Sequence, residues 1–193
     1  MASQAMDHRD RFAGRFDAVL AAAQRGDSRA VGELYSTLSP VVVGYLRLQG
    51  SHEPEDLTSE VFVGVLRNLA SFRGDEAGFR SWLFTIAHRR LLDERRRLVR
   101  RPPPEPLDVA AAVLAPDDVE ADAGRAVADA RVREVCAELA PDQRDVLLLR
   151  LLGGLTLEEC ATTLGKTLGA VKALQRRGFA SIVRRLEQEG VSL

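Results

Sequence analysis

Lys172, Gln175, Arg176 and Arg177 stand within six positions of one another near the C-terminus. On a helix, residues three and four apart share a face, so Lys172, Gln175 and Arg176 project together with Arg177 at their flank. Arginine pairs with guanine, glutamine with adenine, and lysine with guanine or phosphate. The cluster therefore suits a helix that reads base edges. The residues before it supply a support: Thr156 and Glu159 form a T-x-x-E capping box that opens a short helix through Leu157, Cys160, Ala161 and Leu164. Gly165-Lys166-Thr167 follows as a tight turn, with Thr167 placed to cap a longer helix running from about Leu168 towards Glu189. A short brace, a glycine turn and a basic second helix are the parts of a helix-turn-helix, with Val171 and Leu174 packing beneath. A helical hairpin with a solvated basic face fits the same pattern. Gly178 lies inside the second helix, where it costs roughly 1 kcal/mol against Ala. It either admits a close approach to DNA or weakens the helix.

A second cluster lies upstream. The loop Phe72-Arg73-Gly74-Asp75 and the aromatics Phe79 and Trp82 precede an arginine run that includes Arg89, Arg90 and Arg95 to Arg97. Rings stack on unpaired bases while arginines neutralise phosphates, so the combination suits DNA whose strands are being separated. Phe79 is expected in the core, and Trp82 fits core and base stacking equally. A third stretch, Asp56-Leu57-Thr58-Ser59-Glu60-Val61-Phe62, alternates acids with apolar residues on a helix and by itself describes only a solvated face.

Catalysis finds little support. His8, His52 and His88 are scattered, and neither an Asp/Glu cluster nor a phosphate loop is present. Cys136 and Cys160 fit no zinc or redox spacing, which predicts no metal, no cofactor and a reduced, cytoplasmic setting. No apolar run approaches the ~20 residues of a membrane helix, and Arg150 breaks the longest candidate. The N-terminal MASQAMDHRDRF lacks the apolar stretch of a secretory signal.

A net charge of -1 argues at first against a polyanionic partner. The average conceals blocks: Arg80 to Arg101 sets eight arginines against Asp93 and Glu94, and Leu164 to Leu186 carries six basic residues and no acid. Pro102 to Asp129 sets seven acids against Arg125. Charge acts over a Debye length of about 8 Å, so the local blocks decide what binds.

The elements that carry these clusters are helices throughout. Stripes at helical spacing run through Phe16, Val19, Leu20 and Ala23; through Val31, Leu34, Tyr35 and Leu38; through Leu57, Val61, Phe62, Val65, Leu66 and Leu69; and through Phe79, Trp82, Leu83, Ile86, Ala87 and Leu91. Asp27 or Ser28 can cap the second, and Pro40 either kinks it or starts another. In the last third, Val132, Val135 and Leu139 stripe one helix, and Val146, Leu147 and Leu151 stripe the next. Between the halves, the prolines of RPPPEP favour an extended spacer. The expected fold is all-α: two small helical domains, 1–100 and 126–193, joined by an extended Pro/Ala/Asp-rich acidic linker, 101–125.

Taken in order, D-L-x-x-E-V-F, FRG, F-R-S-W-L-F-T-I-A and an arginine run closely resemble region two of ECF (extracytoplasmic-function) sigma factors. Beyond the linker, L-A-P-D-Q-R-D-V-L-L-L-R, G-L-T-L-E-E-x-A and L-G-K-T-x-G-A-V-K resemble their region four. Phe16 to Arg97 and Val132 to Leu186 carry the match. The resemblance implies a factor without activity of its own that directs core RNA polymerase to promoter DNA. Asp56, Leu57, Glu60, Val61 and Phe62 fall where the family grips core polymerase. Phe72, Arg73, Gly74, Asp75, Trp82, Arg89 and Arg90 fall at the minus-ten element, and the loop among them captures a flipped base. Lys166, Thr167, Lys172, Gln175, Arg176 and Arg177 fall at the minus-thirty-five element. An anti-sigma factor, often membrane-bound, is the further partner implied; no small-molecule substrate is. The family usually has Asn where Arg89 stands, and Cys160 replaces a common aliphatic residue. The acidic linker, with Glu105, Asp108, Asp117, Asp118, Glu120 and Asp122, is expected to be a tether or an electrostatic stand-in on the path of nascent RNA. The alternative function is a stand-alone helix-turn-helix regulator that binds operator DNA.

Overall fold

The structure, a computed structural model, describes residues 12, 14–100 and 122–190. Among them are eight α-helices and no strand: α1 (Phe16–Gln24), α2 (Ser28–Leu48), α3 (Pro54–Asn68), α4 (Glu76–Arg100), α5 (Asp122–Glu138), α6 (Pro141–Leu151), α7 (Leu157–Leu164) and α8 (Leu168–Gln188). The all-α class expected from the periodicity is the class observed. The expected linker overlaps the start of α5 at Asp122. Glu105, Asp108, Asp117, Asp118 and Glu120 lie outside the described residues.

Side-chain caps set several of the boundaries. Asp27, not Ser28, caps α2, accepting from the N–H groups of Arg29 at 2.8 Å and Ala30 at 3.2 Å. Pro40 starts no new helix; α2 runs through it, with the proline on the exposed side. There the carbonyl that loses its partner can turn to water. Helix α4 begins at Glu76, ahead of its apolar stripe, because Asp75 Oδ1 accepts the Gly78 N–H at 2.8 Å.

Helices α1 to α4 enclose Phe16, Leu38, Tyr45, Val61, Phe62, Phe79, Leu83 and Leu91. In the second half, α6 departs from a one-sided stripe. Val146, Leu147, Leu148 and Leu149 are all buried, whereas Leu151, expected in the stripe, is 54% exposed. A helix apolar over most of its circumference has neighbours on more than one side. On one side Leu147 meets α8; on another, Val146, Leu148 and Leu149 join a core cluster that also contains Tyr45 and Phe84 of the first half. One apolar core thus runs through both halves of the chain.

The α6–α8 contact explains Gly178. A Cβ built there would stand 2.7 Å from Leu147 Cδ1 and 3.2 Å from Leu147 Cγ. The glycine is buried and its missing side chain makes room for a leucine, not for DNA. Gly178→Val should therefore lower stability by about 1–3 kcal/mol through overpacking, read as a shift in the urea midpoint.

Candidate nucleic-acid interface

Each part of the C-terminal hairpin has a local cause. Thr156 Oγ1 accepts the Glu159 N–H at 3.1 Å, and the Glu159 carboxylate accepts the Thr156 N–H at 2.6 Å, closing the expected capping box. Helix α7 ends at Gly165 in the left-handed conformation, φ 62°. The Lys166 N–H then donates back to the Ala161 carbonyl at 2.9 Å, which turns the chain sharply. Thr167 caps α8, its hydroxyl accepting from Ala170 N–H at 3.2 Å. Cys160, Val171 and Leu174 are buried between the two helices, as the spacing requires.

That burial turns the polar residues of α8 outward. Lys172, Arg176 and Arg177 are exposed and Gln175 is half-buried. Lys166 differs: its ammonium is tied to Asp142 of α6 at 2.9 Å. Thr167 spends its hydroxyl on the cap. The outward cations of α8 are left on a preformed helix face, ready to meet phosphates and base edges.

In the first half the aromatic loop is built from beneath. Gln24 of α1 donates to the carbonyls of Leu69 at 3.0 Å and Phe72 at 2.9 Å, pinning the start of the loop. The Phe72 ring stacks on Trp82 at 5.1 Å and 26° and meets Phe79 edge-on at 5.1 Å. Phe79 is fully buried, as expected, and Trp82 is half-buried, with its ring partly engaged by Phe72. Gly74 has φ 151°, and a Cβ there would stand 3.0 Å from Phe72 Cζ, so glycine lets the loop fold over that ring. Arg73 folds back, donating to the carbonyls of Ala70 at 2.8 Å and Phe72 at 2.7 Å. Arg73, Gly74 and Asp75 are exposed.

The two arginines grouped in the sequence part company in space, since consecutive helical residues diverge by about 100°. Arg89 is exposed on the side of α4 that also bears Ser81 and Thr85. Arg90 leans onto α3, 4.0 Å from Glu60, which also lies 3.9 Å from Arg97. The stretch from Asp56 to Phe62 divides in the same way. Leu57, Val61 and Phe62 are at most 4% exposed and belong to the core, whereas Asp56, Ser59 and Glu60 are exposed. Asp56 and Glu60 line a cleft of about 360 Å³ whose other residues include Glu94 and Arg97.

A polar cluster that the helical stripes do not reveal lies where the two halves meet. Tyr45 Oη and His88 Nδ1 are 2.9 Å apart and both residues are buried. Asp145 of α6, 7% exposed, faces them, with Arg95 of α4 at 4.0 Å. Burial pulls the His88 pKa below its ordinary 6.5, Asp145 working against that and Arg95 with it. Burial, then Asp145, pushes the Tyr45 phenol well up, so it stays protonated. The available signal was Asp145 itself, an acid inside the apolar run R-D-V-L-L-L-R. Cys160 is fully buried and its thiol is pushed up to about 11, chiefly by burial, which suits a core thiol and not a nucleophile.

Comparison with known proteins agrees with this geometry. Residues 34–101 match the family model for Sigma-70 region 2 and residues 129–182 that for Sigma-70, region 4. ECF RNA polymerase sigma factor SigD of Mycobacterium tuberculosis is 33% identical over 192 residues, covering 92% of this chain and 85% of its own. ECF RNA polymerase sigma factor BldN of Streptomyces coelicolor is 33% identical over 172 residues, 86% of this chain; the chain spans 64% of that relative's length. The solved structure of CnrH in complex with the cytosolic domain of CnrY shares the fold, with a TM-score of 0.61 at 24% identity over 90% of this chain and 97% of that one. The two helical units and the helix-turn-helix are those of a sigma-70 type transcription initiation factor. The chain belongs to the ECF RNA polymerase sigma factors. Among the described residues no helix is long and apolar enough to cross a membrane.

Proposed function

We propose that this chain directs core RNA polymerase to promoters by reading the minus-thirty-five element with α8 and the minus-ten element with the Phe72–Asp75 loop and the adjoining face of α4. The observation that carries the reading is the outward, basic face of α8, Lys172, Arg176 and Arg177, on a helix whose opposite face is locked by Cys160, Val171 and Leu174. Gln175 lies beside them, half-buried, with its amide suited to adenine. Arg89 and Trp82 supply a cation and a ring beside the loop. Asp56 and Glu60 are the part of α3 that meets polymerase. The factor works in the cytoplasm and has no catalytic step of its own. An anti-sigma protein is its expected inhibitor.

Arg176→Ala and Lys172→Ala should each reduce promoter-complex formation by the reconstituted holoenzyme while core binding is unchanged. A lost base contact costs about 1–3 kcal/mol and relaxes preference at one position; a lost phosphate contact weakens all sequences alike and lowers the salt slope by about one. The check is a gel shift on a promoter mapped from transcripts induced by overexpression, with and without core. Normal binding by both variants would refute the assignment of α8. Tight operator binding by the free chain would point to a stand-alone regulator instead.

A further inference from the structure

Helix α1 supports the aromatic loop from both of its ends. Phe16, in its first turn, meets the Phe79 ring at 5.5 Å. Gln24, its last residue, is half-buried and reaches across 45 and 48 positions of chain to the carbonyls of Leu69 and Phe72, at 3.0 and 2.9 Å. Both partners are acceptors, so the amide must present its nitrogen, one N–H to each carbonyl. Between them the chain leaves α3 through a single 3₁₀ turn, Leu69–Ser71, and opens at Phe72 into extended backbone, φ -64° and ψ 138°. Carbonyls at a helix end lack donors within their own helix and need them from elsewhere. Gln24 supplies them at both ends of the turn that carries the Phe72 ring onto Trp82 and Phe79.

The Phe72 carbonyl accepts from two side chains, Gln24 and the Arg73 guanidinium, the latter at 2.7 Å. Arg73 is exposed, whereas Gln24 is half-buried against the loop. A phosphate arriving at the loop competes for the guanidinium, because its charge-assisted bond to an anion is stronger than one to a carbonyl. When Arg73 turns to the phosphate, Gln24 still holds the Phe72 carbonyl. A loop fixed before it meets DNA spends no binding energy on its own ordering. The match to region 2 begins at residue 34, so Gln24 stands ahead of it. Resting on the function proposed above, we infer that Gln24 is a positioning residue for the minus-ten contact. By donating to the Leu69 and Phe72 carbonyls it holds the Phe72–Asp75 loop in the shape that receives an unstacked base, without itself touching DNA.

Trp82 is the chain's single tryptophan and stacks on the Phe72 ring, so its emission reports on the loop. Gln24→Glu keeps the shape of the side chain but sets a carboxylate against two carbonyl oxygens, whereas Gln24→Lys keeps a donor. In the free full-length chain, Gln24→Glu should shift Trp82 emission to longer wavelength and open it to iodide quenching. Far-ultraviolet circular dichroism should stay that of wild type, and Gln24→Lys should restore the emission. The functional arm uses holoenzyme reconstituted with core, and single-stranded oligonucleotides carrying the minus-ten element, intact or with one base at a time removed. Wild type should lose about 10-fold in affinity where the captured base is missing. Gln24→Glu should bind the intact strand about 10-fold more weakly, yet bind the strand lacking that base as wild type does and bind core normally. A defect of folding alone weakens both strands alike. Unchanged Trp82 emission in the folded variant, or an equal penalty on intact and abasic strands, would overturn the role of Gln24. Gln24→Ala removes the donor without adding charge and carries the same expectations if the Glu variant does not fold. Wild-type holoenzyme indifferent to every removed base would instead refute the minus-ten reading of the loop, and the emission would still decide whether Gln24 holds it.

Discussion

Replacing Phe62 with Ala should lower the unfolding free energy by about 3–5 kcal/mol, and replacing Asp56 with Ala, six positions earlier on the same helix, should change it by no more than about 0.5 kcal/mol. The Phe62 side chain is 4% exposed and meets the Tyr35 ring edge-on at 4.8 Å, so truncation leaves a cavity that a close-packed helix bundle cannot collapse. Asp56 is exposed and its loss removes no packing. Glu60→Ala should cost at most about 1 kcal/mol, because its contacts with Arg90 and Arg97 are long and solvated. Urea titration of the three variants checks these figures. If Asp56 and Glu60 form the polymerase-facing surface, their substitution should weaken core binding in protein that is fully folded. Core affinity unchanged in a folded Asp56→Ala/Glu60→Ala chain would move the polymerase contact off α3. A Phe62→Ala variant as stable as wild type would contradict the packing described here.

The second large effect concerns His88. Folding depresses its pKa below 6.5, chiefly by burial, so the folded chain resists taking up a proton that the unfolded chain accepts. Its contribution is therefore complete above pH 6.5 and declines as the pH falls from there through the lower folded-state value. The decline is at most about 1.4 kcal/mol per pH unit for one proton. The groups that face the imidazole bear on the size of this loss: Tyr45 through its hydroxyl, Asp145 favouring the charged ring, Arg95 opposing it. His88→Asn retains a polar atom near Nδ1 and does not titrate. The variant should be less stable than wild type at pH 7.5 and should lose less on acidification to pH 5. Parallel stability curves for the two proteins would show that folding does not lower the His88 pKa.

How much of this could be seen in the sequence varies with the kind of interaction. The capping box at Thr156, the turn at Gly165 and the buried face of α8 were legible because each is fixed by neighbours within four residues. The basic face of α8 followed from them. Asp75 as a helix cap was missed because the apolar stripe of α4 begins four residues later, at Phe79. The roles of Leu57, Val61 and Phe62 were blurred because a short motif mixes the residues that support a surface with those that form it. Arg89 and Arg90 look alike in a run of arginines, and only the helical twist sends one to Glu60. The cluster of Tyr45, His88, Arg95 and Asp145, hinted at only by the acid in an apolar run, escapes a sequence reading for another reason. Its members lie on three helices in both halves of the chain, and no periodicity connects them. Gly178 owes its place to Leu147 on another helix, a neighbour that no local pattern specifies.

The contact between Arg80 and the Leu152 carbonyl spans 72 positions of chain. A ribosome adding roughly 5–20 residues per second makes the second partner on the order of 4 to 14 s after the first. Each new copy therefore passes through an interval in which α4 has been made but the Leu152 carbonyl to which Arg80 donates has not. The joining of the two halves is thus a late step, open only after α1 to α4 have been made.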